Sequence, residues 1–204
     1  DASASSAGEV LFSVFSALEA DGMPALSVGT AEKIYAAVSS DTGGFRFSNA
    51  TAKTHAAVAG LLAFDFDHAD IDRRLFDEKP LPQIRAESLV GRALRTRGDI
   101  TYAVIDKAAR AAAGLAFSDF ETAIDVVRSL SGTAVAFTVK ETDDGDFRVS
   151  LRSTGADVAT VAAAFGGGGH IRAAGCNVRA EDAAAAAEKI LAGIDAARKT
   201  EKPV

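Results

Sequence analysis

Four consecutive glycines, Gly166 to Gly169, run directly into His170, and Ile171-Arg172-Ala173-Ala174-Gly175-Cys176 follows. Each glycine loses more backbone freedom on folding than any other residue and brings no side chain, so packing alone does not call for such a run. It belongs where the main chain must come close to something or turn through positive φ. Amides of a glycine-rich turn can form an anion-binding concavity, and His170 adds a donor or a proton beside them. The chemistry this suggests is recognition of a phosphate-bearing ligand. The competing reading of the same residues is a flexible loop ending in a solvated histidine.

A second stretch, Ser39-Ser40-Asp41-Thr42-Gly43-Gly44-Phe45-Arg46-Phe47, places a carboxylate where a helix stops and a glycine turn begins. That position holds Asp41 still while leaving it exposed; the alternative is an Asx-turn residue that satisfies nearby amides. Phe45-Arg46-Phe47 reads as a short strand with the phenylalanines inward and Arg46 on the opposite face. A third stretch, Phe64-Asp65-Phe66-Asp67-His68-Ala69-Asp70-Ile71-Asp72, has four aspartates, three of them (Asp65, Asp67 and Asp70) within three residues of His68. Hard-ion sites need converging ligands rather than adjacent ones. Asp67 and Asp70 are therefore read as caps of a helix over Ile71–Phe76, with the acidic run pairing to Arg73 and Arg74.

The elements that position these residues follow from pattern. Ser5 or Ser6 caps a helix beginning near Ala7, with Glu9 in its first turn to complement the dipole. Val10, Leu11, Val14, Phe15 and Leu18 form its apolar stripe. Thr30 is read as the next cap, and Ala31, Ile34, Tyr35 and Val38 as the inward face of the helix that ends at Asp41. Thr51 starts a third helix, to about Ala63, burying Ala56, Ala59 and Leu62. Pro80 and Pro82 mark a boundary, and Gln83 to Arg97 reads as a connector helix with a basic end. Beyond it come a strand (Ile100–Asp106), helices over Lys107–Gly114 and Asp119–Leu130, and a hairpin of Thr133–Glu141 with Asp146–Leu151 turned at Asp143-Asp144-Gly145. Arg152-Ser153 ends the hairpin's second strand. A helix (Val158–Phe165) feeds the glycine run, Ala173–Val178 resumes as a strand, and Asp182–Ala197 is the closing helix. The fold class is α/β, with strands beneath helices.

Composition sets limits. The 204 residues carry a formal net charge of -6, which argues against a protein that coats long nucleic acid but allows a small anion in a local basic pocket. One cysteine excludes an intramolecular disulfide and fits a reducing, cytoplasmic setting. Cys176 reads as a small buried residue, with no neighbouring base to activate it. No apolar run approaches the ~20 residues of a membrane span.

Gly167-Gly168-Gly169-His170 with Ala173-Ala174-Gly175 resembles the GGGHxxAAG signature of the DHH-associated substrate-binding domain. Ser150-Leu151-Arg152-Ser153 resembles that domain's strand end. Asp41-Thr42-Gly43-Gly44-Phe45 is similar to the DTGxF motif of the DHH phosphoesterase domain. In this order the three motifs look like the bacterial oligoribonuclease and 3′-phosphoadenosine-5′-phosphate (pAp) phosphatase group, the NrnA-like proteins. The Asp-His-His motif that names the family is absent, as is the aspartate-bearing strand before it. The chain thus reads as the C-terminal portion of a longer enzyme, Asp1 to Glu9 resembling the segment after that motif.

The resemblance implies residues 1–79 as the end of a DHH catalytic domain and 80–98 as a connector helix. Residues 99–197 are then a smaller mixed-sheet α/β substrate-binding domain, and 198–204 a tail. It implies a phosphoesterase using two Mn²⁺ ions, or Mg²⁺, with Asp41 as the remaining catalytic metal ligand. Arg152, Ser153, Gly167, Gly168, Gly169 and His170 would hold a short oligonucleotide or a nucleotide bisphosphate. It leaves room for a homodimer. Two other readings stand beside it: a nucleotide-binding module without activity of its own, and an appendage like that of alanyl-tRNA synthetases, against which the Asp41 motif speaks.

Overall fold

The computed structural model describes residues 3–24 and 26–200; Asp1 and Ala2 of the opening segment, and the tail from 201 onward, lie outside the described residues. The chain divides into two units between Glu78 and Lys79.

The first unit is helical. Ser6 caps α1 (Ala7–Ala20) by accepting from the Glu9 amide, as local sequence suggests. The face that α1 buries differs from the expected stripe. Leu11 and Val14 are each 49% exposed and Leu18 is exposed, while Gly8 and Glu9 are buried and Phe12 and Phe15 pack on the core. Contact with α2 (Val28–Asp41) decides this: a Cβ on Gly8 would stand 3.0 Å from the Ile34 carbonyl and from Val38 Cγ2. Ser27, not Thr30, caps α2; its hydroxyl accepts from the Thr30 amide and hydrogen-bonds the Thr30 hydroxyl. Ala31, Ile34, Tyr35 and Val38 are buried as the pattern predicts.

Thr51 caps α3 (Ala52–Leu61). Its buried positions are Thr54, Ala57, Val58 and Leu61, one residue off the expected Ala56, Ala59 and Leu62. Two tertiary demands fix that rotation: Thr54 bonds Glu9, and Gly60 lies against the Phe12 ring, where a Cβ would come within 2.6 Å. Asp67 caps α4 (His68–Asp72) and Asp70 pairs with Arg73 and Arg74. The chain then continues as a π-helical turn, Arg73–Asp77, instead of an α-helix to Phe76.

In the second unit, α5 (Leu81–Arg92) begins with Pro82 in its first turn. Ala86 and Val90 are buried with Ala103, Ile105 and Ile124, so α5 is part of this unit's core rather than a free connector. The expected helix to Arg97 stops at Arg92, because β1 (Leu94–Arg97) pairs antiparallel with β2 (Ile100–Ile105). Arg97 accordingly serves a tertiary bond to Asp195 and not a helix terminus.

After β2 come α6 (Lys107–Ala112), a 3-10 turn (Phe117–Phe120) and α7 (Ala123–Arg128), where the pattern predicts one helix over Asp119–Leu130. The predicted hairpin is β3 (Val135–Glu141) with β4 (Phe147–Ser153). Then follow α8 (Val158–Ala163), β5 (Gly168–His170), β6 (Ala173–Val178) and α9 (Ala183–Thr200).

The six-stranded sheet has the order β1-β2-β3-β4-β6-β5, with β2 and β3 parallel and the other pairs antiparallel. Phe137, Val149, Leu151, Ala174 and Cys176 face α8 and α9 and form one core. Fully burying a side chain such as Phe137 or Leu151 contributes about 1.5–3 kcal/mol. On the other face Ala103, Ile105 and Ala136 are covered by α5 and α7. That cover extends through α7 to the Arg152 end of β4, where Asp125 and Arg128 act on the Arg152 charge, and goes no further. Beyond it the same face of β4, β6 and β5 stays polar and open: Arg148, Asn177, Gly168 and His170 are exposed.

Candidate functional site

Asp41 lies in the first unit, at the last residue of α2, as expected. Its carboxylate is exposed and makes no hydrogen bond or ion pair among the described residues. Its carbonyl accepts from Asn49 Nδ2 at 3.1 Å, and the same amide group reaches the Ser5 carbonyl at 3.0 Å, tying the start of α1 to the end of α2. The residues after it form a turn, not a strand. Gly43, Gly44 and Phe45 take φ of 58°, 64° and 63°, three left-handed residues in a row. Glycine accepts this freely, but Phe45 does not, at roughly 1–2 kcal/mol. Ring contacts of Phe45 with Tyr35 and His55 and the Phe45 amide donated to Thr42 Oγ1 hold it there. Strain of this kind concentrates at functional sites. Arg46 is held by the turn as well: its Nε donates to the Gly43 carbonyl and its guanidinium lies 5.4 Å from the Phe76 centroid.

Sequence reading missed Asp72. Its carboxylate takes the Tyr35 hydroxyl at 2.7 Å and the Ser39 hydroxyl at 2.7 Å. Burial, joined by this carboxylate, raises the Tyr35 phenol well above its ordinary value. The partners are 33 and 37 residues away in sequence, beyond any local pattern.

In the second unit the strand register brings two of the expected residues together. Arg152 pairs with Ala173, and Ala173 pairs with His170, so all three occupy one row across β4, β6 and β5. Residues paired across a sheet share a face, and two strand spacings separate Arg152 from His170 by about 10 Å. Arg152 is half-buried, and burial lowers its affinity for the proton. One of its five donors is committed, Nη1 to the Leu151 carbonyl at 2.9 Å. The next row, Ser150–Gly175–Gly168, is a floor of small residues.

Other expected residues have local jobs. Ser153 falls on the alternate side of β4 from Arg152, and its hydroxyl donates to the Ala156 carbonyl at 2.5 Å while its amide donates to the Arg172 carbonyl. The Gly167 amide donates to the Ala162 carbonyl at 2.9 Å, so it does not join an open anion nest. Three residues of the glycine–histidine run are an edge strand, where the composition predicts a loop. Gly167 and Gly169 are tight against β6: a Cβ would stand 2.2 Å from the Gly175 carbonyl and 2.5 Å from the Ala173 carbonyl respectively. Gly168 alone in this strand has open space where its side chain would be. Arg172 is exposed, as its place in the motif predicts. Cys176 is buried and burial pushes its thiol up to about 11, in keeping with an unreactive core residue.

Among the described residues no group of three or more His, Cys, Asp or Glu converges as a metal site would. No helix among them is long and apolar enough to cross a membrane.

Residues 99–196 match the family model described as the DHHA1 domain. Over 197 residues the chain is 28% identical to the bifunctional oligoribonuclease and PAP phosphatase NrnA of Bacillus subtilis (strain 168), an alignment covering 96% of this chain and 61% of that protein. It is likewise 28% identical, over 166 residues, to the protein of the same name from Thermus thermophilus, covering 80% and 49%. The chain thus spans about half to three-fifths of the length of these relatives. Among solved structures, an exopolyphosphatase-related protein from Bacteroides fragilis superposes with a TM-score of 0.76 at 22% identity, over 83% of this chain and 51% of that one. At that identity the likeness is one of fold.

Proposed function

Since residues 99–196 of this chain belong to the DHHA1 family, we propose that the chain is the substrate-holding part of a DHH-type phosphoesterase acting on short oligoribonucleotides or pAp. The carrying observation is the row Arg152–Ala173–His170 beside the bare floor of Ser150, Gly175 and Gly168. A guanidinium takes a phosphate bidentately, an imidazole supplies a further donor, and small residues let the ligand lie against the backbone. The choice of substrates is supported by the names of the relatives.

Manganese is proposed as the cofactor of the complete enzyme, where such ions polarise the phosphoryl group and lower the pKa of the attacking water. Asp41, an exposed hard-oxygen donor at a rigid turn, is offered as one ligand. The fit is partial, because no group of potential ligands surrounds Asp41 among the described residues. That same isolation favours a second reading for the 204-residue chain by itself, a nucleotide-binding module without turnover.

The test combines binding and turnover. With Mn²⁺ the chain is expected to release negligible phosphate from pAp yet to bind it. Arg152→Gln and His170→Ala should each weaken that binding by roughly tenfold or more, the loss of a charge-assisted hydrogen bond, while leaving the melting temperature in place. Binding unchanged in both variants would overturn the phosphate clamp. Robust manganese-dependent turnover would overturn the reading of the chain as inactive alone.

A further inference from the structure

Arg148 is not used by the clamp, yet it occupies the same open face. It lies four residues before Arg152 on β4, two alternations away, so both side chains leave the sheet on one side. At ~3.3 Å per residue the two positions are about 13 Å apart along the strand. Arg148 pairs with Asn177 on β6 and with Lys140 on β3. Lys140 is turned under the sheet's covering turn, its ammonium 3.0 Å from the Phe120 carbonyl, but two cations still occupy directly opposed positions. Like charges so placed are destabilising unless something offsets them. Arg148 is exposed and has no hydrogen-bond or ion-pair partner among the described residues. Between it and the clamp lies only the low row of Ser150, Gly175 and Gly168.

We propose that Arg148 and Asn177 form a second phosphate subsite, so that a single-stranded oligonucleotide of three or more nucleotides lies along β4 from the Arg152–His170 row to Arg148. The spacing exceeds what the two phosphates on one ribose span, so a nucleoside bisphosphate fills the clamp alone while a longer strand fills both. Charge complementarity selects this occupant: the exposed part of the row is the Arg148 guanidinium and the Asn177 amide, with the Lys140 charge buried behind them and no carboxylate in the row. In a chain of net charge -6 this is a local patch suited to a short strand rather than a long polymer. The proposal rests on the clamp described above for its first phosphate.

Fluorescence anisotropy of the full chain with labelled pAp and with a labelled pentauridylate tests it, using Arg148→Gln and Arg152→Gln. Arg148→Gln is expected to weaken the pentanucleotide roughly tenfold and to leave pAp within twofold. The slope of log affinity against log salt for the pentanucleotide should shrink by about 0.7, the loss of one phosphate contact on a single strand. Equal loss on both ligands, or loss on neither, would overturn the subsite. Failure of the clamp is read separately, as unchanged pAp affinity in Arg152→Gln.

Discussion

Replacing Gly167 with alanine is expected to detach the edge strand β5 from the sheet, whereas alanine at Gly168, one residue on, leaves the fold intact and disables the ligand face. The two glycines differ in what surrounds them. A methyl at 167 would stand 2.2 Å from the Gly175 carbonyl and 2.5 Å from Cys176 Cβ. Neither neighbour can yield, because β6 is paired on its far side with β4. Overpacking of this kind costs about 3 kcal/mol, and part of it is avoided only if β5 leaves the sheet. Gly168 has no positive φ and no atom within 4 Å of the place a methyl would take, so its substitution falls in the range of innocuous surface changes, about ±0.5 kcal/mol. Its methyl would rise from the floor between Arg152 and Arg148, where the ligand must come close. Thermal melts and pAp titrations of both variants separate these effects. Gly168→Ala binding pAp as the wild type does would mean that this glycine serves the strand and not the ligand.

The second large effect is expected at Glu9. Its Oε2 receives the Ser5 amide at 3.1 Å, the Ser5 hydroxyl at 2.6 Å and the Thr54 hydroxyl at 2.8 Å, and the residue is 1% exposed. One carboxylate oxygen thus joins the start of α1 to the start of α3. Burial pulls its pKa upward, but the bonds from Ser5 and Thr54 outweigh burial and hold the carboxyl below its ordinary value. Glu9→Ala strands three polar groups and should destabilise the first unit by about 2–3 kcal/mol, on the order of 10 °C in melting temperature. The sign with pH follows from the depressed pKa. The contribution is fully present above the unfolded carboxyl pKa near ~4.3 and is lost as pH falls through the lower folded value. Wild-type stability should therefore decline more steeply below about pH 4 than that of Glu9→Gln. Parallel acid profiles for the two proteins would show that the carboxylate is not the link.

What the sequence disclosed was local. Caps at Ser6, Thr51 and Asp67, the inward face of α2 and the Asp143-Asp144-Gly145 hairpin each depend on residues a few positions apart, and they were readable for that reason. The faces of α1 and α3 were misjudged because Glu9–Thr54 and Phe12–Gly60, partners more than forty residues apart, set the rotation. The edge strand β5 was invisible since glycine has no strand propensity and its pairing with β6 is tertiary. For the candidate site, motif resemblance named Arg152 and His170, but only the register through Ala173 shows that they share a row. The same period of two removes Ser153 to the other side, and it places Arg148, an unremarked alternate residue, on the ligand's side.

The chain's single cysteine turns the tight seat of Gly167 into a built-in reporter. Cys176 lies on β6 directly beside Gly167, sheltered by that strand and by the α8–α9 core. A thiol reagent can reach the sulfur only when this corner opens, so the rate of labelling counts openings of the site's own edge. Because a ligand spanning β4, β6 and β5 would clamp that edge shut, saturating pAp should slow labelling in native buffer. A rate indifferent to ligand would mean that the thiol is reached from the helical side.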